Sequence, residues 1–126
     1  MDNVLSEKDP IEKGIALFNE GRYVEAGAAW EVPWRATTES GEKQFLEGMI
    51  MLAGAFDHYL CRECAAAVTL LEKGLPLVRS GINAHPDLRL SELSGDLEYL
   101  RDEFDSCSLR VSPDALPKIG LAHIHC

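Results

Sequence analysis

The stretch GIALFNEGRYVEAGAAW, Gly14–Trp30, decides the fold. Ile15 and Phe18, with Leu17 beside them, recur at helical spacing, and Gly21 supplies the positive-φ stop that helix ends favour. Tyr23 opens a second apolar row through Ala26, Ala29 and Trp30, so the stretch reads as two helices meeting at a tight corner. Upstream, Asp9-Pro10-Ile11-Glu12 offers an N-cap, a proline suited to the first helical position and the glutamate of a capping box. Downstream, Pro33 lacks a backbone donor and clashes one turn back, which predicts a disturbed end to the second helix. Thr37–Gly41 reads as a polar loop.

The same periodicity continues along the chain. A third helix, about Glu42–Tyr59, is apolar nearly all round (Phe45, Leu46, Met49, Ile50, Leu52, Ala53, Phe56), the mark of a helix packed on several sides. A fourth, about Glu63–Val78, carries Ala67, Val68, Leu71 and Leu75, and Gly74 and Pro76 are expected to fray or kink its end. Ser80–Asp87 is a loop by composition. A fifth helix, about Ser91–Phe104, places Leu93, Leu97, Leu100 and Phe104 on one face and Glu92, Asp96, Glu98, Asp102 and Glu103 towards solvent. The tail, Ser112–Cys126, reads as extended and packed back onto the bundle. Gly21, Tyr23 and Ala26 form the corner of a tetratricopeptide-like hairpin, and a weaker copy lies at Ala53–Gly74. The two are not offset by the roughly 34 residues of a true array. The expected fold is all-α: one domain, residues 1–126, a compact bundle of five or six helices with two such hairpins around the central third helix.

Composition narrows the function. The 126 residues are 46% hydrophobic and 26% charged, an ordinary globular mix. Lys+Arg is 12 against Asp+Glu 21, a net charge of −9 that repels phosphate backbones and anionic lipid, so neither nucleic acid nor membrane is an expected partner. MDNVLSEKDP has no basic segment followed by an apolar one, and the apolar run Met49–Phe56 falls far short of the ~20 residues of a membrane span. Four cysteines without a leader predict reduced thiols. A cytoplasmic protein is expected.

GIALFNEGRYVEA, the Trp34-Arg35 pair and FLEGMIMLAGAFDHY follow one another at compatible spacing. On these motifs the chain resembles the domain-of-unknown-function family numbered 309, as a divergent member, over about residues 11–78; the C-terminal helix and tail, 86–126, lie beyond. The resemblance implies a helical bundle with one helix surrounded by the others, and no established activity. The family's most chemical-looking stretch runs Tyr-Phe-Glu-Ala-His-Glu, then a further Glu and a Trp. Here it reads Tyr23-Val24-Glu25-Ala26-Gly27-Ala28, then Glu31 and Trp34, so Gly27 and Ala28 stand where the His-Glu pair would be. The family's glutamines at Glu47 and Met51 and its Gly-Asn pair at Arg62-Glu63 are also replaced, whereas His58 matches. Loss of the His-Glu pair points away from catalysis.

Several constellations remain. Glu47, Met51, Gly54 and His58 share a face of the third helix, and Glu31 lies on the helix expected to pack there. Two carboxylates and an imidazole suit a divalent ion or acid–base work; paired with Arg35 or Lys43, they are ordinary surface groups. His58, Cys61 and Cys64 stand at three-residue steps and suit zinc, given a fourth ligand from Cys107 or the terminal His123-Ile124-His125-Cys126. A lone CxxC inside a helix also fits cysteines packed as small hydrophobes. His123 and His125 are a separate metal candidate. Tyr23, Trp30 and Trp34 form an aromatic patch around Pro33, with Trp34 expected to be the accessible ring. No phosphate loop, serine elbow or zincin motif occurs.

The expected function is a non-enzymatic helical module, without cofactor, that binds a protein or peptide, or itself, in a groove between hairpins. Its expected binding residues are Tyr23, Trp30, Glu31, Trp34, Arg35, Glu47 and His58. Two alternatives stay open: a metal-binding or small metal-dependent hydrolytic protein on Glu31, Glu47 and His58, and a zinc-stapled domain on His58, Cys61 and Cys64.

Overall fold

A computed structural model describes residues 10–82, 85, 88–106 and 119. Its five helices are α1 (Pro10–Asn19), α2 (Tyr23–Ala36), α3 (Ser40–Leu60), α4 (Cys64–Arg79) and α5 (Leu90–Ser106), and each packs chiefly on its neighbours in sequence. The architecture is an all-α bundle. Among the described residues, no helix is long and apolar enough to cross a membrane.

The centre is α3, as its all-round apolarity requires. Phe45, Leu46, Met49, Leu52, Phe56 and Tyr59 are fully buried on it, each worth about 1.5–3 kcal/mol of burial. Phe56 meets Phe18 of α1 and Tyr23 of α2 at 5.2 Å between ring centroids, and Phe104 of α5 at 5.9 Å. Tyr59 stacks on Phe104 at 4.2 Å. One aromatic seam therefore joins four helices.

Both corners flanking this core are closed in the same way. After α1, Arg22 N donates to Leu17 O and Gly21 N to Phe18 O, both at 2.9 Å, with Gly21 at φ +84°. After α3, Glu63 N donates to His58 O at 2.8 Å and Arg62 N to Tyr59 O at 3.0 Å, with Arg62 at φ +67°. This two-bond closure needs a left-handed residue, which glycine adopts freely and a side chain adopts at a cost of about 1–2 kcal/mol. Arg62→Gly is expected to raise stability by about 0.5–1 kcal/mol, once the greater freedom of the unfolded glycine is set against the relieved strain. The urea midpoint, measured against wild type, checks this; a fall in the midpoint would show that Arg62 contributes more than its backbone loses.

Pro33 and Pro76 lie inside α2 and α4, each in the last turn of its helix. Pro33 is one turn from the end, where Thr37 N still reaches Pro33 O at 3.0 Å. Lys43 also donates to Trp34 O at 2.7 Å, holding the last turn against α3. The loop before α3 is shorter than predicted, because the Glu39 carboxylate accepts from Glu42 N at 2.6 Å and caps a helix that begins at Ser40.

The predicted N-cap, Asp9, lies outside the described residues, as does the tail apart from Ile119. That residue is 2% exposed and joins the core. The Asn19 side chain accepts from Ile119 N at 2.8 Å and donates to Ile119 O at 3.0 Å. At this point the tail does pack back onto the bundle.

Candidate functional site

A short connection between two long, closely packed helices makes α2 and α3 an antiparallel pair. Side chains at three- and four-residue steps on each helix face the other. From α2 these are Val24, Gly27, Ala28 and Glu31; from α3 they are Ile50, Ala53, Gly54 and Asp57. Gly27, Ala28, Ala53 and Gly54 are too small to fill the space between the helices, and a groove of about 310 Å³ remains, with Tyr23 at one end.

The groove is apolar along its floor and acidic along its margins. Val24 is 68% exposed on its rim, and Val32, two turns along the same ridge of α2, is 61% exposed. Asp57 makes no side-chain hydrogen bond or ion pair among the described residues. Among the described residues Glu31 pairs only with Arg35, one turn on, at 3.2 Å. Such an exposed pair is weak and open to exchange. Burial pushes the Tyr23 phenol up to about 12, so this wall of the groove is uncharged near neutrality. Arg22, which binds Glu20 and Glu25, holds the Glu25 carboxyl below its ordinary range and is itself occupied.

The predicted site residues are only partly brought together. Tyr23 and Glu31 line the groove. Trp30 faces the other way; it is fully buried, and its indole N–H donates to Ile11 O at 3.1 Å. Trp34 is, as expected, the most accessible of the three rings, though only partly so: it packs on the core, its Nε1 is buried without a partner among the described residues, and Lys43 lies 4.5 Å from the ring centroid. Glu47 is half-buried, one turn before Ile50 on α3. Spacing alone pointed to Glu31 but passed over Gly27, Ala28, Gly54 and Asp57.

Among the described residues the metal constellations do not assemble. His58 turns away from Glu31 and Glu47 to pair through Nδ1 with Glu63, across the α3–α4 corner. Cys64 is disulfide-bonded, so it offers no thiolate to zinc. That bond also corrects the expectation of four reduced thiols; Cys61 is free and exposed. Among the described residues, no group of three His, Cys, Asp or Glu is placed to hold a metal ion. Cys107, His123, His125 and Cys126 lie outside the described residues.

The family model of a domain of unknown function, DUF309, matches residues 11–70. These residues belong to the DUF309 family. The DUF309 match takes in α1, α2 and α3 and ends inside α4, short of the Val78 expected from the motifs; α5 lies beyond it. No curated protein and no solved structure matches the chain. The groove thus lies wholly within the DUF309 stretch, and its floor includes Gly27 and Ala28, where the sequence resemblance puts the His-Glu pair.

Proposed function

We propose that this chain is a non-enzymatic interaction module that holds a segment of another protein in the groove between α2 and α3. The observation that carries the reading is the groove itself: an exposed apolar trough where two small residues stand in place of the polar pair expected from the resemblance. An apolar surface continuing onto the exposed ridge of Val24 and Val32 is what a docking face offers, and isolated apolar residues would not form such a row. Nothing in the trough supplies a nucleophile or an imidazole; the neutral Tyr23 phenol and two separated carboxylates are groups for orienting a ligand.

Ala28 gives the test, because it is exposed and a larger side chain there obstructs the groove without entering the core. Peptides selected from a displayed random library against the wild-type chain are expected to lose about tenfold or more in affinity for Ala28→Trp, about 1.4 kcal/mol. Its melting temperature should stay within a degree or two of wild type. Selected peptides that bind both proteins equally would put the binding surface elsewhere and overturn the reading.

A further inference from the structure

The pattern of charge along the groove names the occupant. Because α2 and α3 run antiparallel, Asp57 opposes Val24 at one end and Glu31 opposes Ile50 at the other. Seven residues of helix separate the two levels, about 10 Å. Glu47 adds a third carboxylate one turn beyond Ile50, and among the described residues the ion pair these three make is that of Glu31 with the exposed Arg35. The trough therefore presents an apolar floor between two acidic ends.

We propose that the groove binds an amphipathic basic helix of a partner protein. One aliphatic side chain sits over Gly27 and Gly54, and a Lys or Arg three or four residues to either side reaches Glu31 and Asp57. The proposal rests on the groove being the binding surface. Cations flanking an anchor at those steps lie about 9–12 Å apart on a helix, which matches the acidic spacing; on an extended strand the same residues would overshoot it. The small residues of the floor let a helix backbone approach closely, and the ridge of Val24 and Val32 lies along its flank. A second copy of this chain is a poor occupant: with Asp+Glu 21 against Lys+Arg 12, it brings repulsion to an acidic groove.

The probe is an alanine-rich helical peptide of about 15 residues containing Arg-Ala-Ala-Leu-Ala-Ala-Ala-Arg. Two controls accompany it, one with both arginines changed to glutamate and one with the leucine changed to alanine. Titration by fluorescence anisotropy is expected to show binding of the first, loss of detectable binding for the glutamate version, and about tenfold weaker binding for the alanine version. The double variant Glu31→Gln, Asp57→Asn should bind about tenfold more weakly with an unchanged melting temperature. Affinity should fall steeply between about 0.05 M and 0.5 M salt, as an exposed charge pairing requires. Equal binding of the arginine and glutamate peptides, or no binding of the arginine peptide, overturns the proposal. In either case library-selected peptides that still fail on Ala28→Trp leave the groove standing; an arginine peptide that binds Ala28→Trp as well as wild type brings down both.

Discussion

Trp30→Ala is expected to cost about 3–5 kcal/mol, a large part of the 5–15 kcal/mol that holds an average domain together. Trp30 is fully buried on α2, and Phe18 of α1 lies 5.9 Å away between ring centroids. It rests directly on the α1 backbone: a methyl group added at Gly14 would stand 2.2 Å from the indole Nε1. Truncation removes the indole's hydrogen bond to Ile11 O as well as its packing. It also opens a hole between α1 and α2 that rigid helices cannot collapse to fill. Trp34→Ala should cost much less. Its ring is only partly buried, its N–H is unpaired among the described residues, and the contact with Lys43 contributes about 0.5–1 kcal/mol. Urea unfolding followed by far-ultraviolet dichroism checks both; equal losses would mean that the two tryptophans share one packing role.

The second large effect is expected where α3 and α4 touch. Gly48→Val should destabilise by about 3 kcal/mol or more, at the upper end of what overpacking costs. A Cβ at position 48 would lie 2.7 Å from Leu77 Cβ and 2.8 Å from Val78 N, and 3.0 Å from Gly74 O. Two of these three obstacles are backbone, so relief requires the helices to separate, thinning the packing of Leu71, Leu75 and Val78. Replacing glycine inside a helix ordinarily gains up to about 1 kcal/mol, so the two effects oppose each other here and the collision wins. Gly95→Ala isolates the favourable part. Nothing lies within 4 Å of a Cβ there, and that variant should be stabilised by about 0.5–1 kcal/mol. Thermal melts of the two variants moving in the same direction would contradict the packing described.

The contrast between these glycines also shows what the sequence could reveal. Apolar periodicity gave the helix order and the central place of α3, because a helix apolar on every side has nowhere else to go. Gly21 was legible as a corner because its conformational role is local. Arg62 occupies the equivalent left-handed position after α3, and only the family's glycine there hinted at it. Gly48 and Gly74 gave no sign of their role, since close approach is a property of two helices and each contributes only half. The same holds for the groove. Gly27, Ala28 and Gly54 carry no chemistry, and they line a groove only once α2 and α3 are aligned. Asp57 shares a face with Ile50 and Gly54, yet the neighbouring His58 drew attention because imidazole is the more reactive group. His58 is instead spent on Glu63, a contact made possible by the corner between α3 and α4. The disulfide at Cys64 pairs residues through space, and no spacing rule along the chain predicts it.

The link between Asn19 and Ile119 bears on how the chain folds. Helices that pack on their sequence neighbours form mainly local contacts, a topology that favours rapid folding. Asn19 and Ile119 are 100 residues apart, and bringing such distant points together carries an entropy cost that local hairpins escape. This latch is therefore expected to close on a bundle already formed, and to open without requiring the bundle to melt. Amide exchange at Ile119 should report that local opening, at a free energy below the one governing Phe56 and Tyr59 in the core.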